Sequence, residues 1–342
     1  MRTKKTDASR FSAPQVAFLI VLPLAVCVAA LCIGRMNVSV ADVLKSFGAK
    51  FFGGEPCAPL VESTIWRVRL PRIALALLCG AGLSASGTAF QSLFANPLAT
   101  PDTLGVAGGA AFGASLGLFL GWGLVGVQAL AFACGCAAVL LTVLAASGKN
   151  RGTPGAMVLA GIMIGSLFSA LLSLVKFAAD TESVLPAITY FLMGSLDGAS
   201  GKTLAVGAPP ILVGLAVLFA VRYRLNVLML SSEEARSTGV NLARLRAVTV
   251  INATLMTASA VAMCGQVGWV GLLVPHICRM YYGNNHLTLY PASVIVGGAF
   301  LVAVDTAARS ISAASIPISV LTAVIGAPFF IFLMRRTRFA ER

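Results

Sequence analysis

Charged side chains are scarce in this chain of 342 residues: they make up 11% of it, against about a quarter in a typical soluble domain. Hydrophobic residues make up 58%, and the mean hydropathy is +0.91. This composition excludes an ordinary soluble protein and is typical of a chain in a lipid bilayer. Because a spanning helix needs about 20 apolar residues, roughly ten spans would use up the whole length. We therefore expect an all-α integral membrane protein with about ten transmembrane helices, in which residues 1–342 form one domain.

Acidic residues and histidines are scarcer still, with 12 and 2 in the chain. A transporter driven by a proton or sodium gradient usually needs acids deep in the bilayer, whereas Asp102 and Asp305 lie near the predicted helix ends. A membrane metallohydrolase needs a histidine-rich ligand set such as HExxH, which this sequence lacks. A gradient-driven secondary transporter is thus the weaker alternative. Neither an enzyme activity nor a cofactor or metal bound by this chain is predicted.

Two further features could suggest other partners. The formal net charge is +13, but the basic residues are spread between apolar spans instead of clustering with aromatics, so we expect no nucleic acid partner. GASGKT at Gly198 resembles a phosphate-binding loop, but the first glycine of that motif would fall at Leu196 and no buried strand precedes it. We expect no ATP binding by this chain.

The hydropathy pattern predicts ten spans with short connections. They cover residues 14–34, 72–94, 103–120, 126–146, 154–178, 204–221, 247–267, 271–282, 287–304 and 316–334. The first is too long for a secretory signal, and no small-x-small cleavage site follows it. The third is rich in glycine and alanine, which allow close helix approach in a bilayer. We predict that it is buried against other helices.

The basic residues predict the orientation of the spans. Lysines and arginines in residues 1–13 and 335–342 flank the first and last spans, so we expect both tails in the cytoplasm. Residues 222–246 form the only long polar segment and are predicted to be cytoplasmic too. This topology puts 16 of the 25 basic residues inside. Residues 38–52, an amphipathic stretch, and residues 180–202 are then outer segments.

One span has an unusual entry and exit. It begins at Arg69 and Arg72 and ends in a polar, proline-broken turn that contains Asn96 and Pro97. Unpaired polar groups are expensive in hydrocarbon, so this turn should line protein or water instead of lipid. The segment indicates a transport function.

Five motifs occur in a characteristic order: RLPR at Arg69, GAGLSASG followed by Gln91 and NPLATPDTLG, GLLVPHICR at Gly271, DTAAR at Asp305, and IGAPFF at Ile325. In this order and spacing they resemble the FecCD-type permeases, which are membrane subunits of type II ABC importers for iron-siderophore complexes, haem and cobalamin. The resemblance covers residues 16–334. It implies ten helices per subunit, with spans two to five related to spans seven to ten by a rough inverted repeat, a common transporter plan.

The resemblance also implies the partners and the cargo. The partners would be a second copy of the chain or a paralogous permease, two cytoplasmic ATPase subunits that use ATP and magnesium, and an extracytoplasmic binding protein. The expected location is the cytoplasmic (inner) membrane, crossed several times. The expected substrate is an iron-siderophore complex, with haem or cobalamin as alternatives.

Three arginines are candidates for the contact with the binding protein. Arg69 and Arg72 are three residues apart and should project from one helix face toward water; simple snorkelling of basic side chains would also explain them. The resemblance implies that Arg69, Arg72 and Arg309 receive glutamates of the binding protein, a role that suits guanidinium groups. Asp305 and Arg309 can also form a local ion pair, which is compatible with docking. Ser315 stands where the family usually has a glutamate, so an acid near Arg309 is lost.

Two further groups of residues follow from the resemblance. Gln91 and the turn of Asn96, Pro97 and Leu98 would help form the cytoplasmic gate, although a buried structural break is an alternative. Residues 225–245 alternate apolar and charged residues on both sides of Gly239, which predicts two short amphipathic helices with a bend, or else a solvated loop. By resemblance this segment docks on the ATPase through Ser232, Glu233, Glu234, Ala235, Arg236 and Gly239. The two histidines are predicted to be structural: His276 as an internal, hydrogen-bonded residue and His286 as a loop residue.

Overall fold

The computed structural model describes residues 11–147, 154–230, 232–311 and 315–340. Residues 1–10 of the predicted N-terminal tail and the loop residues Lys149 and Arg151 lie outside the described residues. Within the described ranges the fold is helical, with no strand. The all-α prediction is confirmed for this part of the chain.

The α-helices follow one another along the chain with short connections. They are α1 (Ala13–Cys32), α2 (Val40–Phe52), α3 (Pro59–Ser63), α4 (Leu70–Leu93), α5 (Val106–Phe119), α6 (Leu124–Ala145), α7 (Pro154–Ala178), α8 (Val184–Leu192), α9 (Gly201–Leu225), α10 (Ser232–Ser237), α11 (Leu242–Cys264), α12 (Val270–Tyr282), α13 (His286–Ile311) and α14 (Ile318–Ala340). A π-helical turn (Thr64–Arg69) joins α3 to α4, and 3-10 turns (Pro101–Leu104 and Asn226–Met229) precede α5 and follow α9.

Each of the ten predicted spans coincides with a helix. Seven helical stretches in the described residues are long and apolar enough to cross a membrane: α1, α4 with its lead-in from Pro59, α6, α7, α9 with its 3-10 turn, α11 and α13. The other three spans are short: α5, the apolar part of α14 (Ile318–Phe332), and α12, which contains Pro275. Because α14 continues to Ala340, the segment predicted as a C-terminal tail from residue 335 prolongs the last helix.

The second span begins earlier than predicted. The chain is helical from Pro59 to Leu93, whereas the hydropathy pattern predicts a span that begins at residue 72. The π turn Thr64–Arg69 directly precedes Pro71, and such turns occur as local bulges within longer helices. Arg69 and Arg72 therefore lie inside a continuous helix, not at its first turn.

The two halves of the chain repeat one order of helices. In each half a long, deeply buried span, α4 or α11, is followed by a short helix, α5 or α12, and by two more spans. The helices α4 and α11 pack against each other. They run in opposite directions, because the end of α11 and the start of α4 both contact residues 193–200. This is the arrangement that the inverted repeat predicted.

Glycines allow the central helices to approach closely. A Cβ atom at Gly87 on α4 would lie 1.9 Å from the carbonyl oxygen of Gly271 on α12. A Cβ at Gly80 would lie 2.2 Å from the carbonyl oxygen of Gly297 on α13. Backbone thus packs on backbone, which is how helices associate in a medium that supplies no hydrophobic driving force. The predicted burial of the small-residue helix α5 is confirmed by Gly109, Ala110 and Gly113 among others.

The predictions for both histidines were wrong in part. His286 is not a loop residue: it is fully buried at the start of α13, where its ring nitrogens contact the Ser92 hydroxyl and Asn226 Oδ1, the latter at 2.9 Å. It joins α4, the turn after α9, and α13. His276 is half-buried on α12 with its ring 5.3 Å from that of Phe330, but its Nδ1 has no hydrogen-bond partner.

Candidate functional sites

A cavity of about 480 Å³ at one end of the bundle, which we call the arginine pocket, brings the three predicted arginines together. It is lined by residues from six different segments of the chain. These are Arg35, Met36, Thr64, Val68, Arg69, Arg72, Tyr190, Asp197, Arg309 and Ser315.

Arg69 supports the pocket from inside the protein. Its side chain is 3% exposed, and its guanidinium donates hydrogen bonds to the carbonyl oxygens of Leu31 and Met36. The expectation that Arg69 projects toward water is therefore wrong. The side chain instead fixes the end of α1 against α4, because Leu31 lies in the last turn of α1 and Met36 in the segment that follows it.

Arg72 joins two acids from distant segments. Its Nε lies 2.9 Å from both carboxylate oxygens of Asp305, whose side chain is only 4% exposed. Its Nη1 lies 2.5 Å from Oδ1 of Asp197. The guanidinium thus makes a charge-assisted, multidentate contact within the chain. The buried partner links α4 of the first half to α13 of the second half.

Arg309 has a looser contact with the same acid. Its Nε lies 3.8 Å from Oδ2 of Asp305, which confirms the predicted i,i+4 ion pair. Its Nη2 donates to the carbonyl oxygen of Ala30 at the end of α1. The Arg309 side chain is 12% exposed, similar to the 13% of Arg72, and both reach the pocket.

Sequence reasoning missed Asp197, Tyr190 and Arg35. The Tyr190 hydroxyl donates to Asp197 Oδ2, and the Ser315 hydroxyl lies 3.3 Å from Asp197 Oδ1. Partial burial alone would raise the pKa of the Asp197 carboxyl. Hydrogen bonds from the Tyr190 hydroxyl and the Arg72 guanidinium outweigh this effect, so the pKa lies below its ordinary value. Ser315 replaces the acid that the family usually has at this position, but the carboxylate of Asp197, from another segment, lies beside it. No spacing rule connects Asp197 to Arg72, because 125 residues separate them.

A larger cavity of about 820 Å³, the central cavity, lies between the two halves. The connection from α4 to α5 and the connection from α11 to α12 both line it, and the second connection contacts α5 where Gln266 Nε2 donates to the carbonyl oxygen of Ala107 at 3.3 Å. Its polar lining includes Ser166, Ser169 and Thr257. Among the described residues that line it, Asp102 is the one charged side chain, and it is exposed to the cavity.

The predicted gate residues fall into two different environments. Asn96 Oδ1 accepts a hydrogen bond from the Leu98 backbone N–H at 2.9 Å, a local turn that leaves Leu98 60% exposed. Gln91 is 1% exposed instead, and its Oε1 accepts from Arg279 Nη2 on α12 at 2.9 Å. Neither Gln91 nor the turn Asn96–Leu98 lines the central cavity of this single chain.

The polar segment after α9 forms one short helix, not two. Helix α10 is followed by Gly239 with a φ of +71°, a conformation that favours glycine. The predicted second helix is the first part of α11, because the Asn241 side chain caps that helix by accepting from the Arg244 N–H. Glu233 and Glu234 are exposed, whereas Ala235 is 2% exposed and anchors α10. The side chains of Ser232 and Arg236 lie outside the described residues.

The polar segment and the arginine pocket lie at opposite ends of the bundle. Asn226, at the end of α9, contacts Asn285 and His286 just after α12. The beginning of α1 lies at this same end, because Gln15 Nε2 donates to the carbonyl oxygen of Tyr281 at 3.0 Å. The end of α1 contacts Arg69 and Arg309 at the other end.

Membrane-spanning helices in two inverted halves, with a cavity between the halves, define a multi-pass membrane permease. The chain belongs to the FecCD transport family, whose family model matches residues 20–336. It is therefore a permease subunit of an ABC importer, a class of subunit that is not itself an enzyme. The family predicted from the five sequence motifs is confirmed.

Several relatives match most of the chain. The molybdate import system permease protein of Haemophilus influenzae is 39% identical over 93% of this chain and 95% of its own length. The cobalamin import system permease protein of Halobacterium salinarum is 41% identical over 83% of this chain and 76% of its own length. A probable iron chelatin transport system permease protein of Helicobacter pylori is 35% identical over 80% of this chain and 83% of its own length.

A solved structure shares the fold. It is described as an inward-facing conformation of a putative metal-chelate type ABC transporter, with 38% sequence identity and a TM-score of 0.84. The match covers 94% of this chain and 99% of that one.

Proposed function

We propose that this permease moves a ferric chelate of the siderophore type into the cytoplasm. The observation that carries this proposal is the central cavity of about 820 Å³, whose described lining has a single charged side chain, Asp102. A bulky chelate needs a wide path with few fixed charges that would hold it. The metal-chelate description of the solved relative and the iron chelatin relative support the same cargo class. Haem and cobalamin are alternatives of similar bulk, and a cobalamin permease is among the relatives.

Molybdate is a second candidate because a relative that matches 93% of this chain is named for it. The charge of the cavity argues against it. Asp102 is acidic, and a negative side chain on the cavity wall repels an oxyanion. We therefore rank the chelate first.

The arginine pocket is proposed to receive carboxylates of an extracytoplasmic binding protein. Arg72 and Arg309 each reach the pocket, and Arg35 is exposed beside them. Arg69 would act by holding α1 against the pocket, since its own donors contact Leu31 and Met36. Guanidinium groups stay charged and pair bidentately with carboxylates, which suits such a dock. If the pocket faces the binding protein in this way, it lies on the extracytoplasmic side of the membrane, and both chain termini lie on the cytoplasmic side.

The cytoplasmic end is proposed to contact the other subunits. The exposed Leu98 turn would meet the same turn of a second copy, or of a paralogous permease, and close the gate at a two-fold axis. Helix α10, with exposed Glu233 and Glu234 and the bend at Gly239, would dock on one of two ATPase subunits that hydrolyse ATP with magnesium. The energy for transport then comes from the partner subunit.

Reconstitution in liposomes tests the cargo and the energy source. The permease, its ATPase and its binding protein are combined, and uptake of a chelate labelled with radioactive iron is compared with uptake of labelled molybdate. We expect ATP-dependent uptake of the chelate only. Uptake without the ATPase subunit, or uptake of molybdate alone, would contradict the proposal.

A charge reversal tests the dock separately. Arg309→Glu should abolish measurable affinity for the binding protein, because like charges then face each other across the contact. Arg67→Glu is the matched control, since Arg67 is exposed on the neighbouring helical turn but does not line the pocket. Equal affinities of the two variants would refute the docking role.

A further inference from the structure

Asp197 contacts the part of Arg72 that faces the arginine pocket. Of the two acids on Arg72, Asp305 is buried at 4% exposure and binds Nε and Nη2, whereas Asp197 is 40% exposed and binds Nη1. A buried ion pair is costly to break, but an exposed one is worth little and exchanges easily. Nη1 is therefore the donor group of Arg72 that an incoming carboxylate can take.

The segment that carries Asp197, residues 193–200, which we call the connector, is tied to two other helices. The Ser195 N–H donates to the carbonyl oxygen of Cys264 at the end of α11, at 2.9 Å. At the start of α14, the Ile318 N–H donates to the carbonyl oxygen of Gly194 at 3.0 Å, and the Ser319 hydroxyl donates to that of Met193 at 2.6 Å. The connector thus joins α11 to α14.

The same two helices border the central cavity. Ser319 of α14 and Val261 of α11 line it, as does Leu192 directly before the connector. A displacement of the connector would therefore act on the wall of the central cavity at its extracytoplasmic end.

We propose that Asp197 is a positioning residue that occupies, before docking, the place on Arg72 that a carboxylate of the binding protein takes. Docking then releases Asp197, and the freed connector loosens the contacts of α11 and α14 at the cavity wall. This inference rests on the proposed docking function of the arginine pocket. It assigns that pocket a second role: binding of the partner protein there changes the contacts at the wall of the central cavity.

The geometry indicates that an external carboxylate would replace Asp197 on Arg72, and would not simply bind beside it. Asp305 already binds Nε and Nη2, and Arg69 and Arg309 donate to backbone carbonyls of the α1 end. The Tyr190 hydroxyl contacts the other oxygen of Asp197, so it can retain the released carboxylate near the pocket. The partial exposure of Asp197 gives an external carboxylate access to the contact.

The first test measures the affinity of the binding protein for the permease in lipid nanodiscs. Asp197→Asn removes the internal competitor, so the affinity should rise by about two- to fivefold, the factor that corresponds to an exposed ion pair. A merely structural role would lower the affinity instead. Glu182→Gln removes one negative charge from an exposed site that does not line the pocket, and so controls for overall electrostatics. An unchanged or lower affinity of Asp197→Asn overturns the role of Asp197 and leaves the docking proposal standing.

The second test follows the connector itself. A spin label is attached at Gly198→Cys, where an added side chain meets no atom within 4 Å, and wild-type chain labelled in parallel gives the background from native cysteines. Propionate, an analogue of a glutamate side chain, should mobilise the label, and chloride at equal ionic strength should not. In the Asp197→Asn background the label should be mobile from the start. A label that ignores propionate refutes the exchange, whereas failure of the binding protein to bind wild type refutes the dock and this inference together.

Discussion

The Nε of Arg72 lies 2.9 Å from both carboxylate oxygens of Asp305, and this contact bonds the first half of the chain to the second. The Asp305 side chain is 4% exposed, so its charge is almost removed from water. The pair belongs to the frame of the arginine pocket and is distinct from the exchangeable contact of Asp197.

Removal of Arg72 should be strongly destabilising. Arg72→Ala leaves a buried carboxylate without its main partner, and the free energy of unfolding should fall by about 3–5 kcal/mol. The double variant Arg72→Ala with Asp305→Ala should recover much of this loss, because the deeply buried carboxylate is then removed together with its main partner. Thermal unfolding in detergent, followed by tryptophan fluorescence, measures both, with the exposed Arg67→Ala as control. A double variant no more stable than Arg72→Ala would refute this account of the pair.

An added methyl group between α4 and α12 should destabilise the protein. In Gly87→Ala the new Cβ would collide with the Gly271 carbonyl, so we expect a loss of about 1–3 kcal/mol or more from overpacking. Gly108→Ala on α5 is the control, because its Cβ would lie 3.8 Å from the nearest atom. Thermal unfolding of both variants tests the prediction. Similar stability of the two would show that the helices can move apart at little cost.

A charge reversal on α10 should uncouple transport without unfolding the chain. Glu233 is exposed, so Glu233→Lys should leave the unfolding temperature unchanged. If α10 docks on the ATPase, ATP-driven uptake should fall at least about tenfold, because like-charge contacts at interfaces cost several kcal/mol. Lys202→Glu, an exposed reversal near the other end of the bundle, should transport normally. Full uptake by Glu233→Lys would count against the proposed interface.

The two histidines should differ in their contribution to stability. His286→Ala removes two buried side-chain hydrogen bonds, to the Ser92 hydroxyl and to Asn226 Oδ1, and the unfolding free energy should fall by about 1–3 kcal/mol beyond the loss of packing. His276→Ala removes a ring whose Nδ1 makes no hydrogen bond, so its cost should be smaller. Parallel unfolding curves decide the matter, and an equal or greater loss for His276→Ala would contradict this order.

The spans and their close packing could be predicted from the sequence because they depend on local composition. Apolar runs of sufficient length predict the helices, and the glycines and alanines of α5 predict its close packing. The helical lead-in from Pro59 could not be predicted, since it continues through a π turn just before Pro71, and proline is a local signal for the first turn of a helix. His286 was misassigned for a related reason: its neighbours in the sequence are polar, but its partners Ser92 and Asn226 come from other helices.

The candidate sites were predictable only where the motifs carried them. The motifs named Arg69, Arg72 and Arg309, and the fold brings them to one pocket. They could not indicate that Arg69 turns inward or that Asp197 contacts Arg72, because both facts depend on helices that meet only in the folded chain. For Gln91 the motif suggested a residue of the gate, whereas in the folded chain its side chain is buried and contacts Arg279.

The short helices α5 and α12 are too short to cross the hydrocarbon core of a bilayer by themselves. They have 14 and 13 residues, which corresponds to about 20 Å of helix, against about 30 Å for the hydrocarbon core. Their connections to α4 and α11 fill the difference with polar backbone that faces the central cavity. These connections therefore place irregular backbone beside a cavity, the setting in which non-helical backbone is tolerated at membrane depth.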